Sequence, residues 1–403
     1  MTSLWMQAQQ CGFNKEFLIM NAYLDYQSSK PVDPRVIKAM MPCFQDKFGN
    51  PSSLHKIGDE ATKIVEESRQ AIANFINAKK EEIIFTSGAT ESNNLALFGF
   101  AMRNKDKGNH IIISEIEHIS ILNITKQLVK LGFTISKVPV DQYGRVHLEK
   151  IKDRLTDKTI LVSIGYANNE VGTIQPIAKI GTFCREKNIM FHTDAVAAEG
   201  LLELDVKRDN IDLMTLSSND IYGPKGIGVL YIKTGIRLNP TIIGGGQERG
   251  KRSGSENIPG IVGMAKAAEI MQKEMDKEVE RLLGYRNKLI KNILEKIPRS
   301  YLNGHPEERL PNNVNLRFDG IEGESLLLSL NDKQISVSTG SACSSKTLEP
   351  SHTLIALGLL HEEAHGSLEL TVGRFNTNND VEAVIKALPE VVDRLRKLSP
   401  LYE

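Results

Sequence analysis

Between about residues 80 and 235, short and continuously apolar runs alternate with stretches of helical period. Glu82–Thr86, His110–Ser114, Thr134–Pro139, Thr159–Ser163, Met190–Asp194, Leu213–Leu216 and Gly228–Ile232 read as strands. Ser92–Met102 and Ile119–Leu131 carry helical spacing. Apolar runs without polar alternation predict strands covered on both faces, hence a mostly parallel sheet flanked by helices. Ligands of such sheets sit beyond the carboxyl ends of the strands. After Pro259 the texture changes to a long charged amphipathic helix, Ile261 to about Glu295. Strands at Asn313–Phe318 and Ser367–Thr371 follow, then a final helix from Asp380 to about Leu398. The expected fold is α/β in two lobes. A large lobe spans 33–265, and a smaller α+β lobe combines 1–32 with 266–403 and carries Cys343. No internal repeat or low-complexity linker interrupts this pattern.

Composition narrows the function classes. Of 403 residues, 40% are apolar and 25% charged, which is ordinary globular usage. Fifty basic residues balance fifty acidic ones, so a basic footprint for nucleic acid is not expected. The apolar stretch Leu95–Met102 is too short to span a bilayer, and the first twenty residues lack the layout of a secretory signal. Cys11, Cys43, Cys184 and Cys343 are too scattered for a disulfide framework. Together these features predict a cytoplasmic protein.

Several local strings suggest chemistry, each beside a plainer reading. His361-Glu-Glu-Ala-His365 matches a zinc-hydrolase string, but Gly366 and an early strand leave little helix to hold two ligands. Gly223-Pro-Lys-Gly-Ile-Gly228 looks like a phosphate loop, yet Pro224 removes a donor and a strand follows, so a tight turn is expected. Gly244–Gly254 gathers Arg249, Lys251 and Arg252 in a glycine-rich loop that is either an anion site or simply solvated. Thr86–Ser92 closes a strand and opens a helix, giving either a phosphate dock with the Thr90 hydroxyl or an ordinary capping turn. His192 and Asp194 stand on one face of a strand, with Asp194 at its end. Ser338–Ser345 surrounds Cys343 with small polar residues, as suits an accessible thiol.

These segments occur in a recognisable order: Tyr23-Leu-Asp25, Pro31-Val-Asp-Pro-Arg35, Phe48-Gly-Asn-Pro-Ser-Ser53, Ser87-Gly-Ala-Thr-Glu91, Glu117-His118, Asn168-Asn-Glu-Val-Gly172, His192-Thr-Asp194, Tyr222-Gly-Pro-Lys-Gly226, Arg252-Ser-Gly254, Gly340-Ser-Ala-Cys343 and Gly373-Arg-Phe375. From residue 23 to the end the chain resembles cysteine desulfurases of the NifS/IscS type, within the class V aminotransferases. The resemblance implies a homodimer with fold-type-I pyridoxal phosphate transferase architecture, taking sulfur from L-cysteine. Ala89, Thr90 and Ser217 would hold the cofactor phosphate, with Ser255 reaching across from the partner subunit. His118 would stack on the ring, Asp194 would pair with the pyridine nitrogen, and Asn169 would lie beside it. Arg374 would bind a substrate carboxylate. Cys343 would carry sulfur as a persulfide, or ligate a [2Fe-2S] cluster shared with an iron–sulfur scaffold protein of the IscU type.

The resemblance breaks at its centre. Where the family reads Ser-x-His-Lys, this chain reads Ser217-Ser-Asn219-Asp220. A carboxylate cannot condense with an aldehyde, so no Schiff base is expected at Asp220, and conventional cofactor chemistry is expected to be weak or absent. Sulfur would then come from cysteine or from free sulfide. The alternative is a working pyridoxal phosphate-dependent cysteine desulfurase, and a remote one is a zinc hydrolase using His361 and His365. Ala197 replaces a family Gln, and Glu369 replaces a family Arg. Lys30 appears in a segment that borders the active site in the family, where it would add a cation to the crevice that gained Asp220. Such a pair would make two costly buried charges tolerable together.

Overall fold

A computed structural model describes residues 22–339 and 350–399; residues 1–21, 340–349 and 400–403, Cys343 among them, lie outside the described part. A short strand β1 (Ala22–Tyr23) opens it. The central sheet follows: β2 (Ile83–Thr86), β3 (His110–Ser114), β4 (Thr134–Val138), β5 (Thr159–Ser163), β6 (Met190–Asp194), β7 (Leu213–Ser217) and β8 (Gly228–Ile232). Its order is β2-β8-β7-β6-β5-β3-β4. Every strand read from the apolar runs forms close to the expected position. The sheet is parallel except at β8, which runs antiparallel to both β2 and β7. The segment joining β7 to β8 is too short for a crossover helix, so the chain must turn straight back.

The runs are continuous because each face has its own cover. Along β3, Ile112 enters one core while Ile111 and Ile113 enter the other. The helices Lys56–Phe75 and Ile258–Lys296 supply Val65, Ile72, Ile261 and Met264 to the first core. On the opposite face, Leu97, Ile121 and Leu128 close over Ile84, Leu161 and Leu213. Only the edge strand β4 shows the mixed exposure of a sheet margin.

A second sheet is antiparallel, in the order β12 (Ser367–Thr371), β10 (Asn313–Phe318), β9 (Ser300–Leu302). β1 pairs in parallel with β11 (Ile335–Ser336), which brings the start of the described chain to its carboxyl-terminal part. The 39-residue helix Ile258–Lys296 packs on elements of both regions, and at 1.5 Å per residue it is about 58 Å long. Among the described residues, no helix is long and apolar enough to cross a membrane.

Candidate active site

The adjacent ends of β6 and β7 place Asp194 and Ser217 at the mouth of the crevice. Asp194 is fixed from two sides: Asn93 donates to Oδ2 at 2.7 Å and the Val196 amide donates to Oδ1 at 3.1 Å. The Asn93 amide also donates to Ser120 Oγ at 3.0 Å, and Ser120 Oγ lies 2.8 Å from His118 Nδ1. His118 itself caps the helix Ile119–Lys130, accepting from the Ser120 amide at 3.2 Å. One continuous polar chain therefore joins the exposed His118 imidazole to the half-buried Asp194 carboxylate. Glu117 sits buried behind them, accepting from the Gly165 amide. Burial foremost, then the negative charge of Asp194, pushes its carboxyl up to about 8, so it is mostly neutral at pH 7.

The turn after β2 brings Ala89 and the exposed Thr90 to the start of a helix that follows Gly88. Gly88 has φ +151°, and a Cβ built there would meet nothing within 4 Å, so the turn presents open space beside free amide groups. Glu91 closes one side by accepting from the Ser87 amide and pairing with Arg252 at 3.0 Å. Arg249 donates instead to the Glu81 carbonyl, so the cations of the glycine-rich loop separate onto different partners. Ser255 is exposed, and the Asn169 carbonyl accepts from Asn313 at 3.3 Å.

At the centre, residues 218–221 form a short 3-10 turn that holds Asn219 and buries Asp220. The Lys30 ammonium donates to the Asp220 carbonyl at 2.5 Å and stands 3.8 Å from its carboxylate. The pair expected from the two sequence departures is present and almost fully shielded. Glu199 was not anticipated. Its Oε1 accepts from the Ser217 amide at 2.6 Å, while Oε2 is buried with no partner among the described residues. Burial first, and then Asp220, raises its carboxyl well above the usual range. Its only trace in the sequence is a lone acid inside the apolar run Ala195–Leu202.

Other expectations change. His192 lies wholly inside the sheet between Ser163 Oγ at 2.8 Å and Thr215 Oγ1 at 3.2 Å. Burial lowers its pKa to about 3, so it is a neutral core residue with no part in the crevice. Arg374 is engaged elsewhere: it donates to Asp33 at 2.8 Å and pairs with Glu278 at 2.7 Å, with its guanidinium 4.6 Å from the Tyr222 ring centroid. A substrate carboxylate would have to displace those anions. Glu369 is buried, and its carboxyl is raised well above the usual range by burial, then by Glu170 and Asp25. His361 and His365 bound a five-residue helix, and among the described residues no group of three or more His, Cys, Asp or Glu is placed to hold a metal ion. The zinc reading goes no further. Cys343, the expected sulfur carrier and cluster ligand, lies outside the described residues.

This donor set suits a phosphorylated pyridine: an open amide-lined turn, an anchored carboxylate and an imidazole tied to it. The central disagreement is at position 220, where an acid replaces an amine; Ala197, Glu369 and the engaged Arg374 are further departures, and the exposed Lys225 sits on the turn leading to β8.

The sequence matches the class-V aminotransferase family model over residues 22–384. Cysteine desulfurase IscS 1 of Archaeoglobus fulgidus is 56% identical, across 94% of this chain and 99% of its own. Cysteine desulfurase IscS of Clostridium botulinum is 50% identical, across 94% of this chain and 96% of its own. Among solved structures, a NifS-like protein superposes with a TM-score of 0.87 at 35% identity, covering 93% of this chain and all of that one.

Proposed function

The chain belongs to the class-V aminotransferase family, and from that premise we propose that it is a cysteine desulfurase of iron–sulfur cluster assembly. In this reading L-cysteine gives up its sulfur to Cys343, which presents it as a persulfide to an IscU-type scaffold protein. The observation that carries the reading is the polar chain from His118 through Ser120 and Asn93 to Asp194. It would orient two groups toward one flat ring: an imidazole to lie against its face and a carboxylate to hold its protonated nitrogen. Ala89, Thr90 and Ser217 would hold the phosphate, Ser255 would reach the partner's site, and Asn169 and Asn219 would border the ring. Pyridoxal phosphate, when bound, supplies the electron sink for bond cleavage at the amino acid. This chain's part is to seat the ring, keep Glu117 neutral beside Asp194 and bring a thiol to the substrate sulfur.

Exposed Phe44, Phe48, Leu54, Ile57 and Ile243 give the surface an apolar character that supports a homodimer. Buried free thiols at Cys43 and Cys184 suit a reducing, cytoplasmic setting.

A second reading is favoured by one observation, the occupied position 220. In it, Cys343 acts as a ligand of a cluster whose bridging sulfur arrives as free sulfide, without conventional cofactor chemistry. The purified full-length protein separates the two through its visible spectrum, its pyridoxal phosphate, iron and sulfide content, and sulfide release from L-cysteine. Cofactor with cysteine-dependent sulfide release that Cys343→Ser abolishes supports the desulfurase. Cluster retained with a co-purified scaffold, lost in Cys343→Ser while no cofactor is present, supports the second reading. Neither outcome would refute both.

A further inference from the structure

Lys30 is a buried amine that neither reading uses, and it stands beside Asp220, the position where the family's amine is replaced by an acid. Its side chain is 6% exposed and that of Asp220 is 9% exposed. The approach is fixed by backbone rather than by the charges alone. Pro31 and Pro34 stiffen the segment, and the Asp33 amide donates to the Tyr222 carbonyl at 2.9 Å, pinning it to the turn that contains Asp220. The Tyr222 ring lies 5.5 Å from the ammonium and forms one wall. The ammonium makes its short contact with a carbonyl, while the carboxylate waits at 3.8 Å. This is a loose pair: the carboxylate stands beyond hydrogen-bond distance of the amine, so a proton passes between them only once the two side chains close that gap.

We propose that Lys30 and Asp220 divide between them the work of one active-site lysine: Lys30 supplies the amine that bonds the aldehyde carbon of pyridoxal phosphate, and Asp220 accepts the proton the ammonium must lose first. The proposal rests on the cofactor reading of the site. The proton moves from Nζ to the Asp220 carboxylate. The freed lone pair then adds to the aldehyde carbon, and the carbonyl oxygen leaves as water with the two protons remaining on nitrogen. A C=N bond replaces C=O, and nothing is oxidised or reduced.

Two further observations support this division. Burial raises the Asp220 carboxyl above its ordinary value, which makes it a better proton acceptor than a surface aspartate. Burial also raises the carboxyl of neighbouring Glu199 well above its ordinary value, which weakens its competition as an anion for the Lys30 ammonium. The carboxylate at 220 is then a working part of the site and not merely a lost lysine.

The experiment uses the full-length protein. It is incubated with pyridoxal phosphate, reduced with borohydride, digested and mapped by mass spectrometry. Binding of pyridoxamine phosphate, which has no aldehyde, is measured in parallel by equilibrium dialysis. The expected result is near-stoichiometric phosphopyridoxyl modification of Lys30, absent in Lys30→Met. Asp220→Asn should form the same adduct about 100-fold more slowly at neutral pH, with the deficit narrowing as pH rises and solvent base takes over. If pyridoxamine phosphate binds while Lys30 stays unmodified, or label scatters over surface lysines, the inference falls and the cofactor reading stands. If neither compound binds, both fall. Equal rates in Asp220→Asn and the parent would remove Asp220 from the role.

Discussion

Arg374 grips Glu278 with two donors, Nε at 2.8 Å and Nη2 at 2.7 Å, and both meet the same carboxylate oxygen, Oε2. The other oxygen, Oε1, is buried and has no partner among the described residues. Asp33 takes the remaining face of the guanidinium and also binds Arg35 at 2.8 Å. Burial pushes Asp33 up, but the Arg35 hydrogen bonds and the Arg374 charge hold its carboxyl below the usual range. The group ties the long helix, the amino-terminal segment and the strand-end loop at 373–376 into one charged joint.

Removing the shared cation strands the buried Glu278 carboxyl group and leaves Asp33 to Arg35 alone. Arg374→Met should therefore lower unfolding stability by about 3–5 kcal/mol, the range for breaking a buried pair from one side. Urea denaturation, followed by circular dichroism at fixed protein concentration, measures it. A loss below about 1 kcal/mol would place this joint among ordinary surface pairs.

The Lys30 and Asp220 pair predicts non-additivity. Lys30→Ala leaves an unpaired buried carboxylate and Asp220→Ala leaves an unpaired buried ammonium, so each should cost about 3 kcal/mol. The double variant removes both charges and should recover about 1–2 kcal/mol relative to the sum of the singles. Thermal or urea unfolding of the four proteins closes the cycle. Strictly additive losses would show that the two side chains do not feel one another.

Much of this arrangement is legible before any coordinates, and the missing parts share a cause. The central strands announce themselves because two-sided burial leaves no polar alternation, as in His110-Ile-Ile-Ile-Ser114. The reversal of β8 was open to inference from the short link after Ser217, but apolar periodicity carries no direction. The helix Lys56–Phe75 gives only a weak sequence signal because its buried positions, Ala61, Val65, Ile72 and Ala73, are diluted among charged residues. At the site, Lys30 and Asp220 were found as paired departures from a familiar pattern. Glu199 and the partners of Arg374 were not, because Asp33 and Glu278 reach that guanidinium only through folding.

Glu117 gives the site a pH signature. Its folded pKa of about 8 lies above the ordinary value of 4.5, so the folded protein holds a proton that the unfolded chain releases first. Its contribution to stability is therefore complete below about pH 4.5 and is lost as pH rises through about 8. Glu117→Gln removes the titration while keeping the shape. Urea midpoints measured across that window should fall less steeply with rising pH in the variant than in the parent. Parallel slopes would mean that Glu117 is ionised in the folded state throughout.

Restoring the family's amine is the remaining test of how far position 220 controls the site. Asp220→Lys sets a second amine beside Lys30, and two like charges in a shielded crevice each disfavour protonation of the other. A neutral amine is the form that attacks an aldehyde, so the crowding favours reaction even without a neighbouring base. The Asp194–Asn93–Ser120–His118 chain does not pass through residue 220 and should survive the change. The variant should therefore turn yellow with pyridoxal phosphate, and borohydride should fix the label on residue 220 in preference to Lys30. Its thermal stability should fall, because Lys30 loses its counter-charge. A folded but colourless variant would shift responsibility to Ala197 and Asn219, which also depart from the family's sequence. Label that stays on Lys30 despite the new lysine would show that the amino-terminal segment, not the turn after β7, delivers the reactive amine.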